Sequence, residues 1–219
     1  MDAMIICEQL LANCLRPQFD RQKRWLSVSM RIGGLAPDYY SFANDIEQSG
    51  KLDCIVKTLE LTHAERLRMQ NADGILLSPD FLSILSKSWL ALTYETLRSI
   101  RQRVNYKPNR QTEWANTMAT AYKKIERVRV NEFKREFAKG AKLKKTGKKV
   151  ELYSPYDDLR NIEEYEHGKS VLTSNLYTRS DDGSHSWFVF NNESMEMEQI
   201  YRQDMSDEIL SSLEVFLDS

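Results

Sequence analysis

The sequence predicts a mainly α-helical protein, a helical bundle that ends in a small antiparallel β-sheet and a closing helix. Two observations predict the helices: only 8 glycines and 5 prolines interrupt the 219 residues, and several long segments place apolar residues three and four positions apart. The sheet is predicted because the periodicity changes after Gly168 to short runs of strand-forming residues.

The first third of the chain has the weaker pattern. Apolar residues have helical spacing over residues 3–15. The apolar pattern is irregular over residues 16–74, apart from residues 52–69, where it predicts one helix. The irregular part is expected to break at Gly33-Gly34, at Pro37 and at Ser49-Gly50.

Two long amphipathic helices are predicted next, over residues 80–104 and 112–137. Ser78 and Pro79 provide a cap and a first helical residue for the former. The apolar residues of these helices alternate between spacings of three and four, which is typical of antiparallel neighbours in a bundle. The predicted apolar faces are Phe81, Leu85, Trp89, Leu92 and Ile100, and then Trp114, Met118, Ala121, Ile125 and Val128.

The C-terminal region is predicted to be a small β-meander followed by a helix. A turn at residues 181–184 would join the first two strands, with His185 solvated beside it. The division expected is a bundle over residues 1–168 and a small unit over residues 169–219 packed on it. The predicted strands are 171–178, 186–190 and 195–201, and the last helix is 206–216.

The composition favours a soluble, cytoplasmic protein. Charged residues make up 29% of the chain, and no apolar run approaches the roughly 20 residues that span a bilayer. The first 15 residues carry Asp2 and Glu8 where a signal peptide would carry lysines. Three cysteines without a Cys-x-x-Cys pair predict neither a disulfide framework nor a zinc site. His63 has no second histidine at a metal-binding spacing, so neither a metal nor a cofactor is expected.

Charge is distributed unevenly along the chain. Residues 122–149 hold 12 Lys or Arg against 3 acids, and residues 150–219 hold 4 against 16. Such blocks either bind a polyanion or pair with each other. The lysine-rich segment 139–149 is either a connector or a loop that contacts phosphates, and it contains no aromatic residue for stacking. Its candidate nucleic-acid-binding residues are Lys142, Lys144, Lys145, Lys148 and Lys149.

The segment 154–168 carries the most informative motif. Ser154 and Pro155 predict a helix start, and Gly168 predicts its end. On that helix Arg160 and His167 would share one face, about 10.5 Å apart along the axis. An arginine can neutralise a phosphate, and an imidazole can transfer a proton near neutral pH.

Arg160-Asn161, five further residues and His167 resemble the signature of the HEPN superfamily (higher eukaryote and prokaryote nucleotide-binding domains). In a second register of the resemblance, Tyr165 stands where relatives have the histidine. The resemblance implies a metal-independent endoribonuclease with catalytic Arg160, Asn161 and His167 and a 2′,3′-cyclic phosphate product. It also implies a homodimer, an RNA substrate, a nucleotidyltransferase or antitoxin partner, and a role in toxin–antitoxin or phage-defence responses.

Two alternatives from other functional classes remain open. The same fold can be a non-catalytic nucleotide- or protein-binding module, in which Arg160 simply pairs with Glu164 one helical turn later. The third hypothesis is a nucleic-acid-binding regulator that uses the segment 139–149 without cutting its ligand.

Overall fold

The fold is a bundle of helices with one two-stranded antiparallel sheet, as a computed structural model describes it over residues 16–68, 79–133, 179, 181–191 and 196–219. The mainly α class predicted from the sequence is confirmed. In chain order the helices and strands are α1 (Phe19–Leu35), α2 (Tyr40–Arg68), α3 (Pro79–Val104), α4 (Pro108–Thr117), α5 (Ala119–Phe133), β1 (Ser186–Asn191), β2 (Glu196–Tyr201) and α6 (Arg202–Asp218).

The first third of the chain is far more regular than its sequence predicts. α1 runs through Gly33-Gly34 and α2 runs through Ser49-Gly50, so both expected breaks are wrong. Only the break at Pro37 is confirmed, where a short 3₁₀ helix joins α1 to α2. Two of these glycines serve close packing: a Cβ added to Gly50 would lie 2.4 Å from the Cβ of Trp25, and one added to Gly33 would lie 3.1 Å from the Cβ of Ala43. A glycine that lets two helices approach has the same sequence pattern as one that ends a helix.

The predicted helix over residues 80–104 is confirmed as α3, and the next one is divided in two. α4 ends at Thr117 and α5 begins at Ala119, although the amides of Met118 and Tyr122 still donate to carbonyl oxygens four residues back. The predicted core face of this pair is confirmed, because all five of its members are buried. On α3, by contrast, Phe81 is largely exposed and Leu82 is buried in its place.

The C-terminal region is a hairpin followed at once by α6. β1 and β2 pair in antiparallel register from Ser186–Tyr201 to Asn191–Glu196, which confirms both strands. The predicted strand 171–178 and helix 3–15 lie outside the described residues. α6 begins four residues earlier than predicted and packs against α1, α4 and α5. Its predicted apolar side is confirmed, since Ile209, Leu210, Leu213 and Phe216 are fully buried.

One apolar core joins all these elements. Buried side chains from all six helices and both strands form a single cluster, in which Trp25, Trp89, Trp114 and Trp187 are the largest members. Burying one aliphatic or aromatic side chain contributes about 1.5–3 kcal/mol, so the cluster is the main source of stability. The consequence for function is that α6 and the hairpin are integral to the bundle.

Candidate functional site

Every residue that the sequence predicts for catalysis lies outside the described part of the chain. This holds for Arg160, Asn161, Tyr165 and His167. It also holds for the candidate nucleic-acid-binding lysines of the segment 139–149, which are Lys142, Lys144, Lys145, Lys148 and Lys149. All these residues belong to the segment 134–178. The described structure shows the two points at which this segment joins the bundle, which are the end of α5 at Phe133 and Arg179.

Arg179 is fixed to the start of α6. Its Nη2 lies 2.6 Å from Asp182 Oδ2 and 2.8 Å from Asp204 Oδ1, and its guanidinium stacks 4.7 Å over the ring of Tyr201. The hydrogen bonds to Asp182 and Asp204 raise the pKa of Arg179 above its usual value. The chain that follows the motif thus reaches the bundle at an anchored point.

A buried ion cluster, formed by Arg21, Asp53, Glu60 and Arg202, lies between α1, α2 and α6. Arg202 Nη1 donates to Asp53 Oδ1 at 2.6 Å. Its Nε and Nη2 donate to Glu60 Oε1 and Oε2 at 2.8 and 2.5 Å. The side chains of Arg202, Asp53 and Glu60 are all fully buried. Such bidentate, charge-assisted bonds fix the orientation of both partners.

The second arginine completes the coordination of Asp53. Arg21 Nε donates to Asp53 Oδ2 at 2.5 Å, where Trp25 Nε1 also donates at 3.0 Å, while Ser206 Oγ donates to Asp53 Oδ1 at 2.7 Å. Burial opposes ionisation of Asp53, but the charges of Arg202 and Arg21 outweigh it and lower its pKa to about 2. Arg21 Nη1 also donates to the half-exposed Asp207, so both arginines are fully engaged by carboxylates of the chain and the buried ion cluster holds the fold.

The positions of Asp53 and Glu60 in the sequence could have indicated this cluster. Asp53 and Glu60 are seven residues apart, so they share one face of α2 with the buried residues Ile46 and Cys54. Two acids at core positions of a helix demand buried cations elsewhere in the chain. Arg202 and Arg21 could not be identified as those cations, because their partners are 142 and 32 residues away in sequence.

His185 is buried, and the expectation that it is solvated is wrong. The turn before it presses onto α2: Gly183 has φ +68, and a Cβ there would lie 2.1 Å from the carbonyl oxygen of Glu60. The backbone amide of His185 donates to Glu60 Oε1 at 3.0 Å, and its ring packs 4.8 Å from Trp187. Burial lowers the pKa of His185 to about 3. A neutral imidazole of this kind does not transfer protons near neutral pH.

The acidic C-terminal region neutralises part of the basic surface. Lys124 of α5 pairs with Glu208, and Arg127 pairs with Glu198 at 3.0 Å. On α1, Arg24 pairs in the same way with Glu214 at 2.7 Å. The two oppositely charged blocks seen in the sequence therefore do pair with each other over these residues.

The basic residues at the end of α3 and in the turn after it do not pair with the acidic C-terminal residues described above. No carboxylate in the described part of the chain lies within 4.0 Å of the charged groups of Arg101 or Lys107, and Arg103 reaches Asp38 only at 4.0 Å. Arg101 stacks 4.6 Å over the ring of Tyr122. Tyr106 stands beside these cations with 83% of its surface exposed. Positive charge is therefore available to a ligand at this part of the described surface.

The described residues provide neither a metal centre nor a reactive thiol. They contain no group of three or more His, Cys, Asp or Glu side chains that could hold a metal ion. Burial raises the pKa of the Cys54 thiol to about 12, which keeps it protonated. Of the helices given above, none is long and apolar enough to cross a bilayer.

Comparison of the chain with protein-family models, with curated proteins and with solved structures finds no match.

Proposed function

We propose that this protein binds RNA and cuts it without a metal ion, as a HEPN-like endoribonuclease with Arg160 and His167 at the reacting phosphate. The observation that carries the proposal is a run of positive charge that leads into the motif. Between Arg98 and Lys149 there are 17 Lys or Arg and 4 Asp or Glu, a balance of +13. A polyanion is the ligand that such an excess of positive charge attracts, although Lys124 and Arg127 within this run pair with Glu208 and Glu198.

The chemistry follows from the two side chains of the motif. His167 would take the proton of a ribose 2′-hydroxyl, whose oxygen attacks the phosphorus. The bond from phosphorus to the 5′-oxygen breaks, and that oxygen receives the proton from the His167 imidazolium. Arg160 would stabilise the charge that develops on the phosphate, and Asn161 would orient the site by hydrogen bonds. The products are a 2′,3′-cyclic phosphate and a 5′-hydroxyl.

A homodimer would complete this site. On one helix Arg160 and His167 would be about 10.5 Å apart along the axis, which would be too far for both to reach one phosphate easily. Two copies related by a two-fold axis would bring the arginine of one close to the histidine of the other. The lysines of the segment 139–149 would offset the negative charge of Glu163 and Glu164 beside the phosphate.

The cellular setting belongs to the proposal as well. A metal-independent ribonuclease of this type would act in the cytoplasm in a toxin–antitoxin or phage-defence response, with an antitoxin or nucleotidyltransferase protein as its partner. The described bundle supports an accessory role for its own surface, because no carboxylate of the described residues lies within 4.0 Å of the charged groups of Arg101 and Lys107.

RNA cleavage in EDTA tests the proposal. The wild-type protein should cut single-stranded RNA and leave cyclic phosphate ends, and His167→Ala and Arg160→Ala should each lose at least about 100-fold in rate. His185→Gln is the matched control, because this histidine is buried and neutral. Cleavage that needs Mg²⁺, or that persists in both motif variants, would overturn the ribonuclease assignment.

The second candidate is a module that binds RNA without cutting it. It is favoured by Tyr165, which occupies the histidine position in the other register of the motif, and by the acids Glu163, Glu164 and Glu166 around it. A folded wild-type protein that binds RNA tightly and leaves it intact would establish this candidate.

A further inference from the structure

We propose that the turn between α3 and α4 binds single-stranded RNA, with Tyr106 stacked on a base and Arg103 and Lys107 contacting the flanking phosphates. The inference rests on the proposed function and deepens it, because it names the strandedness of the ligand and a surface that holds it away from the motif.

The first argument is the exposure of Tyr106. This ring is 83% exposed and makes no ring contact within the described structure. An aromatic ring held in water forgoes the free energy of burial and remains free to stack on a nucleobase. The exposed ring is typical of a stacking platform.

The second argument is the rigidity of the turn that carries it. The amide of Tyr106 donates to the Arg103 carbonyl at 3.2 Å, and the amide of Lys107 donates to the Val104 carbonyl at 2.9 Å. The side chain of Val104 is buried, and Pro108 begins α4. The ring therefore projects from a fixed backbone, so binding costs little backbone entropy.

The third argument is the charge around the ring. Residues 101–110 contain four Lys or Arg and no acid, and one of the four, Arg110, is paired with Glu113 at 2.8 Å. Lys107 Nζ lies 5.6 Å from the ring of Tyr39, and the nearest carboxylate to Arg103 is Asp38 at 4.0 Å. The end of the α3 dipole, equivalent to about half a negative charge, cannot neutralise several cations. Arg103 and Lys107 could therefore contact the phosphates on either side of a base that is stacked on Tyr106.

The fourth argument is selectivity for unpaired bases. A base stacks on a side chain only when it is free of its own duplex neighbours, so an aromatic platform discriminates against double-stranded RNA. The segment 139–149 offers lysines without any aromatic residue. Tyr106 would provide the stacking that this lysine-rich segment lacks.

The experiment measures the affinity of the full-length His167→Ala protein for a labelled 12-nucleotide oligouridylate by fluorescence anisotropy at several salt concentrations. Adding Tyr106→Ala should weaken binding at least about fivefold with an unchanged salt slope, and Tyr106→Phe should restore it. Arg103→Gln and Lys107→Gln should each remove one phosphate contact. The slope of the logarithm of the binding constant against the logarithm of the salt concentration should then become less steep by about 0.7 for each variant. Asp38→Asn should tighten binding, because it removes the negative charge nearest to Arg103.

The matched controls are on α1. Phe19 is an exposed aromatic residue with Lys23 Nζ 4.2 Å over its ring, so Phe19→Ala and Lys23→Gln remove the same chemistry from another surface. Both controls should bind like the parent protein. Affinity within twofold of the parent for Tyr106→Ala, equal losses in the controls, or equal competition by a duplex would each overturn the inference.

The two proposals fail in different ways. Metal-free cleavage that is unaffected by Tyr106→Ala, together with unchanged affinity, would overturn the role of the turn and leave the ribonuclease standing. Binding that depends on Tyr106 in a protein that never cuts RNA would support the turn and overturn the ribonuclease.

Discussion

Arg202 and Asp53 meet at 2.6 Å with both side chains fully buried, and this contact ties the last helix to the second across 149 residues of sequence. Because Glu60 accepts two further hydrogen bonds from the same guanidinium, Arg202 is a partner of both buried carboxylates. The stability of the bundle should therefore depend on Arg202 more than on any surface ion pair.

Replacing Arg202 with methionine should lower the free energy of unfolding by about 3–5 kcal/mol, because Asp53 and Glu60 would remain buried with too little positive charge. Urea unfolding followed by circular dichroism measures the change. Arg24→Met is the matched control, since its pair with Glu214 is largely exposed and should contribute less than about 1 kcal/mol. Equal losses in the two variants would contradict a special role for the buried contact.

The stability of the protein should fall as the pH drops from about 6.5 toward 3. The pKa of His185 is lowered from 6.5 to about 3 by burial, so between these values the unfolded chain binds a proton that the folded chain does not. Each pH unit should then cost about 1.4 kcal/mol for this one group.

Urea unfolding at pH 6.5, 5.5 and 4.5 tests that dependence. His185→Gln should flatten the pH dependence, and His63→Gln should flatten it less, because the pKa of His63 is lowered by burial at a more open site. The lowered pKa of Asp53 adds a further loss only below about pH 4. An unchanged slope in His185→Gln would rule out the buried neutral imidazole as its source.

Two glycines within helices should respond oppositely to replacement by alanine. Gly50→Ala should destabilise the protein by about 1–3 kcal/mol, since the new Cβ would collide with Trp25. Gly34→Ala should raise stability by about 0.5 kcal/mol, because nothing lies within 4 Å of its new Cβ and alanine favours the helix. Thermal unfolding of both variants decides the question. A stabilised Gly50→Ala protein would mean that α1 and α2 do not pack as closely as described.

The thiol of Cys54 should resist alkylation in the folded protein. Burial raises its pKa to about 12, so almost no thiolate exists at pH 8 to attack iodoacetamide. Peptide mapping by mass spectrometry after labelling, with and without urea, measures the protection at this residue separately from other cysteines. Rapid labelling of Cys54 without denaturant would show that the centre of α2 opens to solvent.

The sequence predicted the parts of the fold where apolar spacing is strong. α3, the core face from Trp114 to Val128 and the apolar side of α6 follow from that spacing alone. α1 and the first half of α2 were missed, because Gly33 and Gly50 serve close packing within helices and because Asp53 occupies a core position. A buried acid interrupts the apolar pattern by which a helix is recognised.

The site was less predictable than the fold for a different reason. The motif around Arg160 and His167 is defined by sequence spacing, and its geometry depends on residues outside the described structure. Which cations remain free, by contrast, depends on tertiary pairing. Lys124 and Lys107 are both lysines, yet Lys124 pairs with Glu208, whereas no carboxylate of the described residues lies within 4.0 Å of Lys107.

The buried ion cluster also has a consequence for biosynthesis. Asp53 and Glu60 leave the ribosome long before Arg202, so the nascent chain carries two carboxylates on a helix face that cannot yet be buried. The early helices would therefore wait, partly open and accessible to chaperones, until α6 is translated. The core would then be completed only after α6 has left the ribosome.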